Sequence, residues 1–158
     1  MANEIKDKFS SSTAMTITLA GLGSSASLVG RQSTLVDNTT ARYGRLLVYY
    51  NIKLGTSPTG NKSIFFYLIR GDDDATPHRD GSAGASDAAW TAQEGMAPVW
   101  VERDKASPDT GDVIKGSFIV DTPGPKWGIG VVHDTGVNLD ATGGNHWVRY
   151  VGLNPEVQ

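Results

Sequence analysis

The stretch GRLLVYYNIKL, residues 44–54, sets Leu46, Val48, Tyr50 and Ile52 against Leu47, Tyr49, Asn51 and Lys53. Alternation of this kind has the period of a β-strand, whose successive side chains point to opposite faces. The same period returns in AMTITLA (14–20), where Met15, Ile17 and Leu19 oppose Thr16 and Thr18. No 12-residue window carries the i, i+3, i+4, i+7 apolar stripe of a helix. NKSIFFYLIR (61–70) is apolar on both faces, which suits a central strand or one covered by a neighbouring subunit. Between 44–54 and 61–70, GTSPTG reads as a hairpin loop, punctuated by Gly and Pro.

Further strands are expected at GRQSTLVDN (30–38), APVWVER (97–103), VIKGSFIVD (113–121), KWGIGVVHD (126–134) and NHWVRYVG (145–152). About eight short strands, with 19 glycines and 7 prolines to turn the chain between them, predict an all-β fold. The expected form is an antiparallel β-sandwich, jelly-roll-like. Residues 1–12 read as a flexible polar arm and 13–153 as a single sandwich domain. Within it 71–95 forms a long surface loop, and 154–158 form a tail after Pro155. At 158 residues the chain is long enough to bury a core without staples, and it has no cysteine to supply any.

The formal charge is −3 and the 14 basic residues are scattered, which argues against a nucleic-acid partner. No run approaches 18 apolar residues, so no membrane-spanning helix is expected. The start MANEIKDKFSSST lacks the apolar core of a signal peptide, and synthesis in a cytoplasm is expected.

Candidate chemistry is sparse. In ATGGNHWVRY (141–150), His146 is the most suggestive residue, but a catalytic histidine needs a nucleophile or an orienting carboxylate in reach. Asp134 and Asp140 are the nearest acids in sequence, and neither stands in a catalytic spacing. Gly143, Gly144, Asn145 and His146 are therefore expected to form a structural turn into the last strand, with the glycines accepting positive φ. His78, His133 and His146 lie in separate segments without zinc-site spacing. Asp72, Asp73, Asp74, Asp80 and Asp87 offer oxygens for calcium, but three contiguous acids break the calcium-loop pattern and read as a solvated tip. Trp90, Trp100, Trp127 and Trp147 suit either a sugar-stacking platform or a core and subunit interface, and the second is favoured. No cofactor, metal or catalytic residue is expected, and the chain reads as non-enzymatic.

The chain also resembles, over its whole length, a family of small virion structural proteins of tailed phages. The resemblance is carried by MANEIKDKFSSSTAMTITLAGL, GRQSTLVDNTT, GTSPTGNKSIFFYLIRG and KWGIGVVHDTGVNLDATGGNHWVRYVGLNP, in that order. It implies a capsid decoration (cement) protein, with a tail or head-fibre component, or a glycan-binding module contacting the host surface, as the alternative. Its implied partners are the major capsid protein and itself, as a homotrimer, on the capsid surface. On that reading Ile5 and Phe9 are candidate capsid contacts, and Leu47, Tyr49, Phe65 and Tyr67 candidate subunit contacts.

Overall fold

The computed structural model describes residues 5–74 and 86–157. Among them the chain runs through β1 (Ile5–Phe9), β2 (Thr13–Ala14), β3 (Val29–Gln32), β4 (Val36–Asp37), β5 (Arg45–Lys53) and β6 (Ser63–Gly71). It continues through β7 (Ala88–Thr91), β8 (Trp100–Arg103), β9 (Val113–Asp121), β10 (Lys126–His133) and β11 (Trp147–Val157), with a 3₁₀ turn at Gly143–Asn145. Two antiparallel sheets pack as a sandwich. One has the order β1-β11-β5-β9 with β2 also on β11; the other has the order β7-β3-β10-β6-β8 with β4 also on β10.

β1 and β2 lie on the same side of β11, and β3 and β4 pair in sequence along β10. Joining each pair and setting β7 aside leaves eight strands, ordered 1-8-3-6 in one sheet and 2-7-4-5 in the other. The core between them comes from the alternation seen in the sequence. Leu46, Val48, Tyr50 and Ile52 of β5 point inward and are fully buried, meeting Ile64, Phe66 and Leu68 of β6. The rings of Tyr50 and Phe66 stand 4.5 Å apart, and Trp127 meets Tyr150 edge-on at 5.0 Å.

β5 and β6 lie in different sheets, so the expected hairpin at GTSPTG is a crossing of the core instead. The loop's backbone bonds go to other loops: Thr59 N–H donates to Thr135 O (2.9 Å) and Asn61 N–H to Lys105 O (3.2 Å). A Cβ at Gly60 would stand 1.9 Å from Ala106 O, so only glycine lets this loop lie against its neighbour. The segment 15–19 crosses in the same manner. Met15 N–H bonds Val148 O in one sheet, and Thr16 O accepts from Thr34 N–H in the other, while Met15 and Leu19 stay buried.

Both ends differ from the expected arm and tail. Residues 5–9 pair with 153–157, Ile5 opposite Val157 and Phe9 opposite Leu153. Pro155 fits a strand here for a reason of register. Ser10 N–H donates to Gly152 O, so even-numbered residues of β11 turn their backbone groups toward β1 and Pro155 turns its nitrogen away. On that far side β5 has already ended, at Arg45 opposite Leu153, so no donor is required.

The expected loop 71–95 contains β7, which pairs with β3; residues 75–85 of it lie outside the described residues. β7 and the chain after it cover the outer face of the second sheet. Trp90, Tyr67, Ile69 and Val132 form a second buried cluster there, with Phe65, Ala92 and Met96 packed against it. The doubly apolar strand is thus covered on its second face by its own chain.

Candidate functional site

The outer face of the β1-β11-β5-β9 sheet gathers most of the residues singled out for contact. Odd-numbered positions of β5 and β9 point away from the core, as do those of β11 over residues 147–153. Register places Leu47 between Val151 and Ile119, Tyr49 between Arg149 and Ser117, and Phe9 beside Leu153. Ile5, Phe9 and Ile119 are 73%, 61% and 60% exposed. Ile5, Phe9, Leu47 and Tyr49, separated by up to 44 positions in sequence, therefore share one surface. Ile119, Val151 and Leu153 extend it and were not among the sequence candidates. The signal was present in VIKGSFIVD, whose two faces both carry apolar residues, but alternation alone does not say which face is dry.

β1 is exposed at every position. Two ion pairs tie it down: Arg45 reaches over β11 to Asp7 (2.9 Å), and Lys8 meets Glu156 (2.9 Å). Pairs this open contribute little, about 0–1 kcal/mol each. The edge of the sheet therefore carries two large apolar side chains on a strand held mainly by its backbone ladder to β11.

Phe65 and Tyr67 do not join this surface. They point to the outer face of the second sheet, where Tyr67 is buried against Trp90 with ring centroids 5.1 Å apart and Phe65 is half-buried. Tyr67 is not available to a neighbouring subunit, because β7 already occupies the position such a neighbour would take.

The turn at 143–146 is built by hydrogen bonds. His146 is buried; its Nδ1 accepts from Lys53 N–H (3.3 Å), which leaves Nε2–H to donate to Asp140 O (2.8 Å). The Asp140 carboxylate does not face the imidazole. It accepts from Asn145 Nδ2 (2.8 Å) and Thr142 N–H (2.9 Å) and meets Lys53 Nζ at 3.4 Å, and the bond from Asn145 above all holds its pKa well below the usual carboxylate range. Gly143 and Gly144 do not adopt the positive φ expected of them, because a 3₁₀ turn uses ordinary helical backbone.

The other titratable candidates are likewise engaged. His133 is fully buried, with Nε2 against Leu22 O and Nδ1 against the Thr135 hydroxyl, both at 2.9 Å, and burial lowers its pKa. His78 and Asp80 lie outside the described residues. Asp87 accepts from the backbone and hydroxyl of Thr18, while Asp72, Asp73 and Asp74 are exposed. Among the described residues no group of three or more His, Cys, Asp or Glu side chains is placed to hold a metal ion. Two open clefts lie at opposite ends of β5. One of about 690 Å³ lies beside the Lys53–Asp140 pair, and one of about 450 Å³ lies between Arg42 and Pro123.

Of the tryptophans, Trp90 and Trp127 are core residues, and Trp147 stands on the outer face with 40% exposure. Trp100 lies on the flank where β8 and β9, outer strands of the two sheets, meet. Its ring stacks over Phe118 at 6.1 Å, and its Nε1–H donates to the Tyr50 hydroxyl (3.2 Å), which itself donates to Glu102. Burial, and then the bond to Glu102, raise the Tyr50 pKa, so the hydroxyl keeps its proton at neutral pH.

No family model, curated protein or solved structure matches this chain.

Proposed function

We propose that this chain is a non-enzymatic structural protein of a phage virion, a decoration protein that binds the major capsid protein and stabilises the head. The observation that carries the reading is the exposed strand β1, which presents Ile5 and Phe9 at the edge of an outward apolar surface. Two further features support it. The strand orders 1-8-3-6 and 2-7-4-5 suit a jelly roll, the fold that the resemblance to virion proteins implies. The surface also spans four hydrogen-bonded strands of one sheet, which fixes the spacing of its contacts as a binding face requires. Each contact is weak alone, and many copies seated on a repeating shell stabilise it by multivalency.

The test is to mix the purified protein with phage heads lacking it and to sediment them. The expected result is that the protein travels with the heads, and that an Ile5→Asp, Phe9→Asp double substitution reduces its occupancy about tenfold or more while leaving the circular dichroism unchanged. Unchanged occupancy of the double variant would remove β1 from the contact. No sedimentation of the native protein would remove the decoration role.

A further inference from the structure

The outer strands of the two sheets are unequal. β1, β7 and β8 are 5, 4 and 4 residues long, whereas β9 runs for nine residues, Val113–Asp121. Proteins blunt sheet edges with short strands, prolines and inward charges, because an open edge templates pairing with another chain. β9 has no proline. Its side toward β5 is fixed by the bonds at its two ends: Leu54 N–H donates to Asp112 O, and Thr122 N–H to Gly44 O. Both bonds join register partners, so even-numbered residues exchange bonds with β5. Val113, Lys115, Ser117, Ile119 and Asp121 therefore turn their N–H and C=O groups outward, and no backbone partner takes them among the described residues. Beside this edge Val113, Trp100 and Val101 are 46%, 39% and 44% exposed.

We propose that β9 pairs antiparallel with β9 of a second copy of this chain, joining the two β1-β11-β5-β9 sheets into one continuous sheet. The charges of the strand select the register. Outward-turned groups exchange bonds only when odd-numbered residues face odd-numbered residues. Of the registers that meet this condition, one sets Lys115 opposite the second copy's Asp121, and Asp121 opposite its Lys115. That register also sets Ser117 opposite Ile119 twice and places the two-fold axis at Phe118. Shifting by one step of the ladder sets Lys115 opposite Ile119 and Asp121 opposite Val113, and no unlike charges face each other. Neither Lys115 nor Asp121 makes an ion pair among the described residues; Asp121 lies beside Arg45, whose guanidinium is already bonded to Asp7. Thr122, at φ +47°, ends the strand where the pairing would end.

The contact lies at the opposite edge of the sheet from β1, so it stands or falls independently of capsid binding. It is also two-fold, and differs from the homotrimer that the resemblance implies. The experiment is light scattering on the purified full chain across a concentration series. The expected mass is twice the 16.8 kDa of one chain. Lys115→Asp, which sets like charges opposite each other at both ends of the ladder, weakens the dimer about tenfold. Adding Asp121→Lys to it restores native affinity, with circular dichroism confirming the fold of each variant. A monomer at every concentration, a trimer, or a dimer indifferent to Lys115→Asp would each overturn the proposal. A dimer weakened by the single change and not restored by the double would overturn the register.

Discussion

At the scale of single residues, the buried histidines His133 and His146 are matched to partners that fix their protonation. His133 is the clearest case. The Leu22 carbonyl demands a proton on Nε2, and the burial that lowers the pKa makes a second proton costly. The folded state thus binds a proton on His133 less readily than the unfolded chain does. Its contribution to stability is complete above the ordinary imidazole value of 6.5 and is lost as pH falls below that value toward the folded one. Denaturant titrations from pH 7.5 downward are expected to show stability falling by at most about 1.4 kcal/mol per pH unit from this group. His133→Gln keeps a donor for Leu22 O without the titration and is expected to flatten that slope; an unchanged slope would assign the loss to other groups. Glycines and aromatic rings are matched in a similar way. A Cβ at Gly116 would stand 2.2 Å from the Tyr50 hydroxyl, and one at Gly130 2.9 Å from the Trp90 ring. Gly116→Ala is expected to cost about 1–3 kcal/mol as overpacking, measured by urea unfolding, since Tyr50 is held by Glu102 and Trp100 and has no room to yield.

At the scale of elements, β7 makes the clearest prediction. Trp90 is the largest side chain of the second cluster and lies on Gly130. Trp90→Ala is expected to lower stability by about 3–5 kcal/mol in chemical denaturation, near the range for a buried tryptophan. This element was invisible in the sequence: AAWT sits in a Gly- and Asp-rich stretch and is too short to show a period. Its absence from the reading also explains why Phe65 and Tyr67 looked like subunit contacts. Period two was legible elsewhere, and β5, β6, β9, β10 and β11 all lie where alternation or apolar runs placed them. Alternation states which side of a strand is dry and leaves open which strand lies beside it. For that reason 44–54 and 61–70 were located correctly and paired wrongly. Pro155 misled for the opposite reason. Proline forbids a donor, but whether a donor is needed depends on register, which depends on β1, a strand with no buried face to announce it. On the surface, Ile5, Phe9, Leu47 and Tyr49 were found one by one, and only the sheet order puts them together.

At the scale of the whole molecule, the two edges of one sheet divide two tasks. β1 carries the proposed capsid contact and β9 the proposed self-contact, with β11 and β5 between them. In a paired sheet of eight strands the two copies of β1 would stand seven strand spacings apart, about 34 Å at about 4.8 Å per spacing. The same order has a consequence for how the molecule is made. Among the described residues β1 and β2 have no neighbour in their sheet except β11, and β11 follows every other described strand in sequence. During synthesis the first strands emerge well before their partner, and the sheet is bisected until residues 147–157 have been added. A chain cut short of Trp147 by a premature stop codon would hold a single pair, β5 with β9, where the finished protein has a complete layer. Such a product is expected to leave part of its core uncovered and to be digested faster than the full chain in limited proteolysis.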